Sequence, residues 1–258
     1  MAQYYELWKG LIKSGEQLPV WQEYFVKFYQ AFIEKDRWLQ YLEGMGTTLL
    51  VTAMALAIGV ILGVIVAVIR TAHDQQRPGS GNIIGKILFG IVNWVCKIYV
   101  TVIRGTPVTL QLMIMYFIIL KTWRNDLMIA TVAFGINSGA YVAEIFRGGI
   151  MSIDNGQFEA GRSLGFNYVQ TMLYIITPQV FKNVLPTLAN EFITLLKETS
   201  VAGYVTVMDL TYAAGRIRGA TFSPFMPLIG SAAIYLVLVM FFTWLVGKLE
   251  RRLRNSER

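Results

Sequence analysis

The chain has 258 residues, of which 55% are hydrophobic and only 15% are charged. A soluble domain carries about 25% charged residues, so the deficit indicates apolar surface that faces lipid. The net charge of +7 does not indicate a nucleic-acid partner, because the basic residues lie mainly at the ends of apolar runs. The single cysteine, Cys96, excludes an internal disulfide, and the single histidine, His73, argues against a metal site.

Residues 1–46 are rich in aromatic side chains but not apolar enough to cross a membrane. Phe25, Phe28, Tyr29 and Phe32 repeat at the spacing of one helical face. Because tryptophan and tyrosine favour the headgroup region, this pattern predicts an amphipathic segment that lies on the membrane. A helix packed on another part of the same protein fits the pattern equally well. No secretory signal peptide is visible, so we expect the first apolar run to be retained as an anchor.

The first membrane span is predicted at residues 47–69, which contain no charged side chain. They would form roughly 35 Å of helix, enough to cross a hydrocarbon core of about 30 Å. A polar loop follows at residues 71–86. Its SGNIIGKI stretch at residues 80–87 lacks the first glycine and the final hydroxyl of a phosphate-binding loop. The sequence therefore predicts no ATP site in this chain.

The second apolar run, residues 87–120, is too long for one straight crossing. Arg104-Gly105-Thr106-Pro107 interrupts it, and proline bends or ends a helix because it lacks an amide donor. This predicts an approach helix to residue 102, a break, and a span at residues 107–120. Arg104 is expected near the cytoplasmic face.

The third span is predicted at residues 128–145, where small residues favour close helix packing. It carries Asn137 and Ser138, which are candidates for a substrate path. It also carries Glu144, and Arg147 follows three residues later on the same helical face. Glu144 and Arg147 are therefore predicted to form a structural ion pair.

The fourth span, residues 180–207, is the most polar. Charged groups inside a bilayer cost several kcal/mol unless they face protein or water, so each is a functional-site hypothesis. A stripe of polar residues follows one helical face, and its members are Asn190, Glu191, Thr194, Lys197 and Glu198. The stripe is predicted to line a translocation path; an ion-pair network that holds helices together is the alternative. The fifth span, residues 224–247, is free of charge and precedes the basic tail.

Five spans place the two termini on opposite sides of the membrane. The basic tail is expected inside, together with the loops at residues 70–86 and 147–171. A six-span version would split residues 87–120 into two crossings and invert the N-terminus. No internal repeat of the kind found in inverted-repeat transporters is evident.

A polar segment at residues 158–179, FEAGRSLGFNYVQTMLYIITPQ, separates the third and fourth spans. It resembles the cytoplasmic coupling loop of ABC importer permeases, whose signature is Glu-Ala-Ala, three residues, Gly, nine residues, Ile, one residue and Leu-Pro. Five positions are in register with it: Glu159, Ala160, Gly165, Ile175 and Pro178. Gly161 replaces the second alanine and Thr177 replaces the leucine. The resemblance implies that Glu159, Ala160, Gly161 and Gly165 couple the chain to an ATPase.

Further stretches are similar to the polar amino acid (His/Gln/Arg/Glu-type) branch of that family. They are RGTP with QL at residues 104–112, AYVAE and RGGI at 140–150, and NEF and LKETS at 190–200. The resemblance covers residues 44–253. It leaves residues 1–43 outside. Together with the pattern of apolar runs, it predicts an amphipathic segment at 1–46, a permease domain at 47–250 with its coupling loop at 156–171, and a tail at 251–258.

The resemblance implies an all-α membrane protein of about five transmembrane helices, with the type I ABC importer permease fold, in the bacterial cytoplasmic (inner) membrane. It implies lipid contact, a second permease subunit, ATPase subunits that hold ATP and Mg²⁺, and an extracytoplasmic binding protein that delivers a polar amino acid. No nucleic-acid partner, metal, cofactor or catalytic residue is expected in this chain. The competing classes are a passive or proton-coupled carrier or channel, a structural membrane anchor and, most weakly, a membrane enzyme.

Overall fold

A computed structural model describes residues 1–75 and 83–255, with side chains to residue 253. The predicted loop at residues 71–86, the stretch at 80–87 and the basic tail lie partly outside these residues. Within the described ranges every regular element is a helix, as the composition predicts.

The chain divides into two compact units, which are described separately. One unit contains residues 1–50 and 200–239, and the other contains residues 51–199 and 240–258. Two long helices, α3 (Arg37–Asp74) and α11 (Phe225–Asn255), contribute to both. The first unit also holds α1 (Ala2–Lys13), α2 (Val20–Phe32) and α10 (Leu210–Thr221); the second holds α4 (Ile83–Gly105), α5 (Val108–Ile114), α6 (Asp126–Met151), α7 (Asn155–Ser163), α8 (Tyr168–Thr171) and α9 (Thr177–Glu198).

Among the described residues, four helices are long and apolar enough to cross a membrane: α3, α4, α6 and α11. A fifth helix, α9, has 22 residues and therefore spans roughly 33 Å. Its polar stripe makes it less apolar than the other four. A shorter apolar helix follows α4 at Val108–Ile119, where α5 continues into a π-helical turn.

In the first unit, α1 and α2 form a helical hairpin that packs on its own chain. Tyr5 is buried and stacks on Tyr29 with ring centroids 4.2 Å apart. Its hydroxyl donates to Glu34 at 2.9 Å. Phe32 stacks on Tyr41 at 5.1 Å, within a core that includes α10. The buried face of residues 1–46 thus packs on the same protein, which was the alternative to membrane contact; contact of the other face with lipid stays a prediction.

In the second unit, α3 and α6 approach so closely that only glycine fits at their contact. A Cβ on Gly59 would lie 2.9 Å from Ser138, one on Gly63 2.5 Å from Val142, and one on Gly135 2.7 Å from Ile58. Gly59 of α3 contacts Ser138 of α6, and Gly63, one turn later, contacts Val142, also one turn later. The two helices therefore run in the same direction. The small residues predicted to permit close packing do so here.

The parallel direction of α3 and α6 decides how residues 83–119 cross the membrane. An odd number of crossings must separate two spans of the same direction, which contradicts the six-span version. The predicted break is confirmed, because α4 ends at Gly105 and α5 begins after Pro107. On the far side of the break, Tyr116 donates to Asp126 at the start of α6. We therefore interpret α4 and α5 as one interrupted crossing.

The predicted position of Arg104, near the cytoplasmic face, stays a prediction. Its guanidinium lies 5.4 Å from the ring centre of Tyr141, about 23 Å of helix from the start of α6 and about 15 Å from its end. The approach helix is longer than predicted, at 23 residues from Ile83. It therefore brings the break alongside Tyr141 of α6.

Candidate functional site

The predicted coupling loop is a helix, a turn and a second helix. Asp154 caps α7 by accepting from the amide of Gly156 at 2.8 Å. The helix ends at Ser163, and Gly165 follows two residues later with a φ of +82°, in the left-handed region that favours glycine. The amide of Phe166 donates back to the carbonyl of Gly161 at 3.0 Å, which closes a Schellman turn. The turn predicted at Gly165 is confirmed.

The four predicted coupling residues divide into two groups. Glu159 and Ala160 are exposed on α7, so both are accessible to a partner. Gly161 is buried, and a Cβ there would lie 2.6 Å from the side chain of Thr171. The side chain of Thr171 therefore occupies the space that alanine would need, which explains the departure from the motif. Gly161 and Gly165 shape the loop rather than present side chains.

A second group of residues meets near the middle of α6, in the contact between α6 and α9. These helices run antiparallel, since Gly149 of α6 lies against Val184 of α9 while Ser138 donates to Glu191 at 2.9 Å. Glu191 is half-buried and Ser138 is buried. The structure thus brings together two residues predicted for the path from spans that are distant in sequence.

Asn137 is 2% exposed and lies next to this contact. Its amide donates to the side-chain oxygen of Gln111 on α5 at 2.9 Å. Gln111 in turn donates to the carbonyls of Ile103 at 2.7 Å and Thr106 at 3.0 Å. The Gln111 side chain therefore donates to backbone carbonyls that the break between α4 and α5 leaves without helical partners. The sequence marked Gln111 only as part of a motif; a neutral polar residue four positions after a mid-span proline was the available signal.

The oxygen of the Asn137 amide, Oδ1, is buried and has no hydrogen-bond partner within the described residues. An unpaired buried polar group costs about 1–3 kcal/mol. Such a group next to a helix break and a charged residue marks a place where a polar ligand can replace the missing partner.

The remaining stripe residues are more accessible. Asn190, Thr194 and Lys197 are exposed along one face of α9, and Glu198 is half-buried. Two of their side chains donate to carbonyls of their own helix, Asn190 to Pro186 at 3.1 Å and Thr194 to Asn190 at 3.2 Å. The predicted stripe is therefore a polar surface that Glu191 joins to the centre of α6.

The predicted ion pair between Glu144 and Arg147 is wrong in its partners. Glu144 accepts from Arg70 of α3, and Arg147 contacts Asp74 of α3 at 3.4 Å. Both residues point toward α3, because α3 and α6 lie side by side along their lengths. The structural role is retained, as two contacts between helices instead of one contact within a helix.

Comparison with known proteins identifies the family. The model of the "Binding-protein-dependent transport system inner membrane component" matches residues 80–255. The arginine transport system permease protein ArtQ of Bacillus subtilis is 36% identical over 84% of this chain and 93% of its own. The probable glutamine ABC transporter permease protein GlnM of the same bacterium is 37% identical over 86% and 96%.

Solved structures agree with the sequence comparison. A crystal structure of an amino acid ABC transporter with histidines is similar with a TM-score of 0.72 and 37% identity, over 83% of this chain and 94% of that one. The MetNI methionine ABC transporter, in inward-facing conformations, gives a TM-score of 0.71 at 18% identity over 85% and 98%, which supports the fold alone. The predicted all-α type I permease fold is confirmed. The chain belongs to the family of binding-protein-dependent transport system inner membrane components and is a transmembrane permease subunit of an ABC importer of the bacterial inner membrane.

Proposed function

We propose that this subunit moves polar amino acids into the cytoplasm by alternating access, driven by ATP hydrolysis in a separate chain. The observation that carries the proposal is the polar cluster at the middle of α6, where Asn137 bonds Gln111 of α5 and the adjacent Ser138 bonds Glu191 of α9. Relatives named for arginine and glutamine transport support the substrate class. An amino acid carries an ammonium and a carboxylate, and both need partners inside a bilayer.

The cluster offers a partner for each charge. The Glu191 carboxylate can accept from an ammonium, and its bond to Ser138 holds it toward α6. Arg104 is exposed at the break and contacts Tyr141. Its guanidinium can form a bidentate pair of hydrogen bonds with a carboxylate. Asn137 Oδ1 can accept from the ligand. Asn190, Thr194, Lys197 and Glu198 continue the path along α9.

The energy would enter through α7. Glu159 and Ala160 are exposed there, while Gly161 fixes α7 against Thr171. Because α8 leads through a π-helical turn directly into α9, movement of α7 is transmitted to the helix that carries Glu191. In this proposal ATPase subunits dock at α7 and hold ATP and Mg²⁺, a second permease subunit completes the path, and an extracytoplasmic binding protein delivers the substrate.

The path is tested with the assembled importer in liposomes, by measuring which amino acids stimulate ATP hydrolysis. Glu191→Gln and Glu198→Gln remove charges from the path, and Glu250→Gln removes an exposed charge near the end of α11. We expect Glu191→Gln to weaken stimulation by about tenfold or more, since a hydrogen bond to a charged group contributes about 1.5–3 kcal/mol, and both path variants to change the preference among amino acids. Glu250→Gln should behave as the wild type. Unchanged preference in both path variants would contradict the path, and uptake without any ATPase would indicate a passive carrier.

The coupling loop is tested separately by co-purification. Glu159→Lys should leave the chain inserted in the membrane but reduce the amount of ATPase that co-purifies with it. Glu16→Lys, the same exchange at an exposed position outside the loop, serves as the control. Equal recovery of the ATPase with both variants would remove Glu159 from the interface.

A further inference from the structure

The α1–α2 hairpin leaves an aromatic surface uncovered after it has packed on its own chain. Tyr4 is 61% exposed and Trp21 is 62% exposed. Trp8 connects them, with ring centroids 5.7 Å from Tyr4 and 5.3 Å from Trp21. The exposed rings therefore form one continuous patch rather than scattered apolar residues, and such patches on a protein surface mark an interaction site.

The patch continues onto a membrane span. Tyr24, one helical turn after Trp21, contacts Phe225 with ring centroids 5.6 Å apart, and Phe225 is the first residue of α11. Both residues are exposed. The aromatic surface of the hairpin thus joins the surface of α11 at the end where that helix begins its crossing.

A close contact fixes the position of the hairpin along α11. Phe32, the last residue of α2, lies against Gly230, where an added Cβ would be 2.3 Å from the ring. Gly230 is about 8 Å of helix beyond the start of α11. The end of α2 therefore lies beyond the first turn of α11, alongside the helix and not ahead of its start.

The hairpin and its link to α3, residues 1–36, hold four lysines and five acidic residues, so they carry almost no net charge. Lys9 bonds Glu34 at 2.5 Å and Lys27 bonds Glu23 at 2.5 Å. The hydrogen bond to Glu34 raises the pKa of Lys9, so this lysine stays charged and paired. Attraction to anionic lipid, which polybasic segments use, is not available to this surface.

We infer that the α1–α2 hairpin is a membrane-interface element whose aromatic patch, Tyr4, Trp8, Trp21 and Tyr24, inserts between zwitterionic phospholipid headgroups and the acyl chains. Tryptophan and tyrosine favour this layer because their rings are apolar and their N–H or O–H groups are polar. The continuity of the patch with α11 and the position along α11 set by Phe32 indicate lipid as its occupant. The hairpin then fixes the height of the starts of α3 and α11 in the membrane. This inference is independent of the transport proposal.

The test uses the full chain in phosphatidylcholine nanodiscs with a single tryptophan. The chain has six tryptophans; one variant keeps Trp21 and replaces the others with Phe, and a control keeps Trp244, which is exposed on α11. We expect phosphatidylcholine brominated near the headgroup end of its acyl chains to remove about half of the Trp21 emission. Aqueous iodide should leave that emission unchanged. Replacing part of the lipid with phosphatidylglycerol should have no effect.

Three outcomes would overturn the inference. Quenching of Trp21 by iodide and not by brominated lipid would place the patch in water. Shielding of Trp21 only after the binding protein is added would identify a protein as the occupant. A requirement for phosphatidylglycerol would show that charge drives the contact. If the single-tryptophan chain does not fold, a spin label on Trp21→Cys in a Cys96→Ser background is used instead. A depth-dependent relaxation agent then shows whether position 21 lies in lipid or in water.

Discussion

The two helices α6 and α11 are both apolar and long enough to cross a membrane, yet they differ sharply in their surroundings. In the most apolar window of α6, 72% of the residues are buried inside the subunit, against 11% in α11. The helix with the greater burial is the less apolar of the two. In water the opposite would hold, because burial there follows apolarity.

The difference follows from the solvent. Lipid rewards an apolar surface as well as a protein interior does, so a lipid-facing helix can be uniformly apolar. A helix enclosed by other helices needs close packing and satisfied polar groups instead. On α6 these are small residues such as Gly135 and Gly139, and polar residues such as Asn137 and Ser138. A polar span with small residues is therefore the one to search for function.

The largest effect is expected where α3 and α6 touch. Gly63→Ala places a Cβ 2.5 Å from Val142 and 2.9 Å from the amide of Ala143. Overpacking of this kind costs about 1–3 kcal/mol. Gly46→Ala, on the same helix and with nothing within 4 Å of the new Cβ, should be neutral or stabilising by about 1 kcal/mol. Unfolding of the subunit in mixed micelles measures both, and equal stability of the two variants would contradict the contact.

A matched pair of valines tests the comparison directly. Val142 on α6 is fully buried, whereas Val237 on α11 is 66% exposed. Val142→Ala removes methyl groups from a packed contact and should cost about 1–2 kcal/mol. Val237→Ala should change the stability of the subunit by less than about 0.5 kcal/mol. Similar losses at both sites would mean that α11 is as enclosed as α6.

The corrected ion pairs predict a specific coupling. A double-mutant cycle of Arg70→Ala and Glu144→Ala should give a coupling energy of about 1 kcal/mol, near the upper end for accessible pairs, because both side chains are largely buried. The cycle of Arg147→Ala with Glu144→Ala should give nearly zero. Thermal unfolding of the wild type, the three single variants and the two double variants supplies the energies. A larger coupling for Glu144 with Arg147 would restore the pairing within one helix.

These pairs also show what the sequence could and could not predict. The turn at Gly165 and the break before Pro107 depend on local backbone chemistry, so the sequence predicted both. The polar stripe of α9 follows helical periodicity and was visible as well. The partner of Glu144 was not, because Arg70 is distant in the sequence and only the packing of α3 on α6 brings them together. The bond between Asn137 and Gln111 was missed for the same reason.

The smallest effect concerns Asp209, in the segment before α10. It caps that helix by accepting from the amides of Thr211 and Tyr212, both at 3.0 Å, and it also accepts from Tyr235 of α11 at 3.4 Å. Burial raises the pKa of Asp209 above its ordinary value of 3.8, although these hydrogen bonds oppose the rise. A carboxyl whose pKa is raised by folding contributes stability below its ordinary pKa and loses that contribution as pH rises through the folded value.

Asp209→Asn isolates this contribution, because asparagine caps a helix about as well as aspartate does and does not titrate. We expect the variant to gain stability relative to the wild type, by a few tenths of a kcal/mol or more, as pH rises from about 4 to 7. Unfolding midpoints at several pH values in the same detergent measure the difference, and the other carboxyl groups cancel in it. Parallel curves for the two proteins would mean that the three hydrogen bonds offset the cost of burial. The hydrogen bond from Tyr235 would then hold α11 to the segment before α10 without a net electrostatic cost.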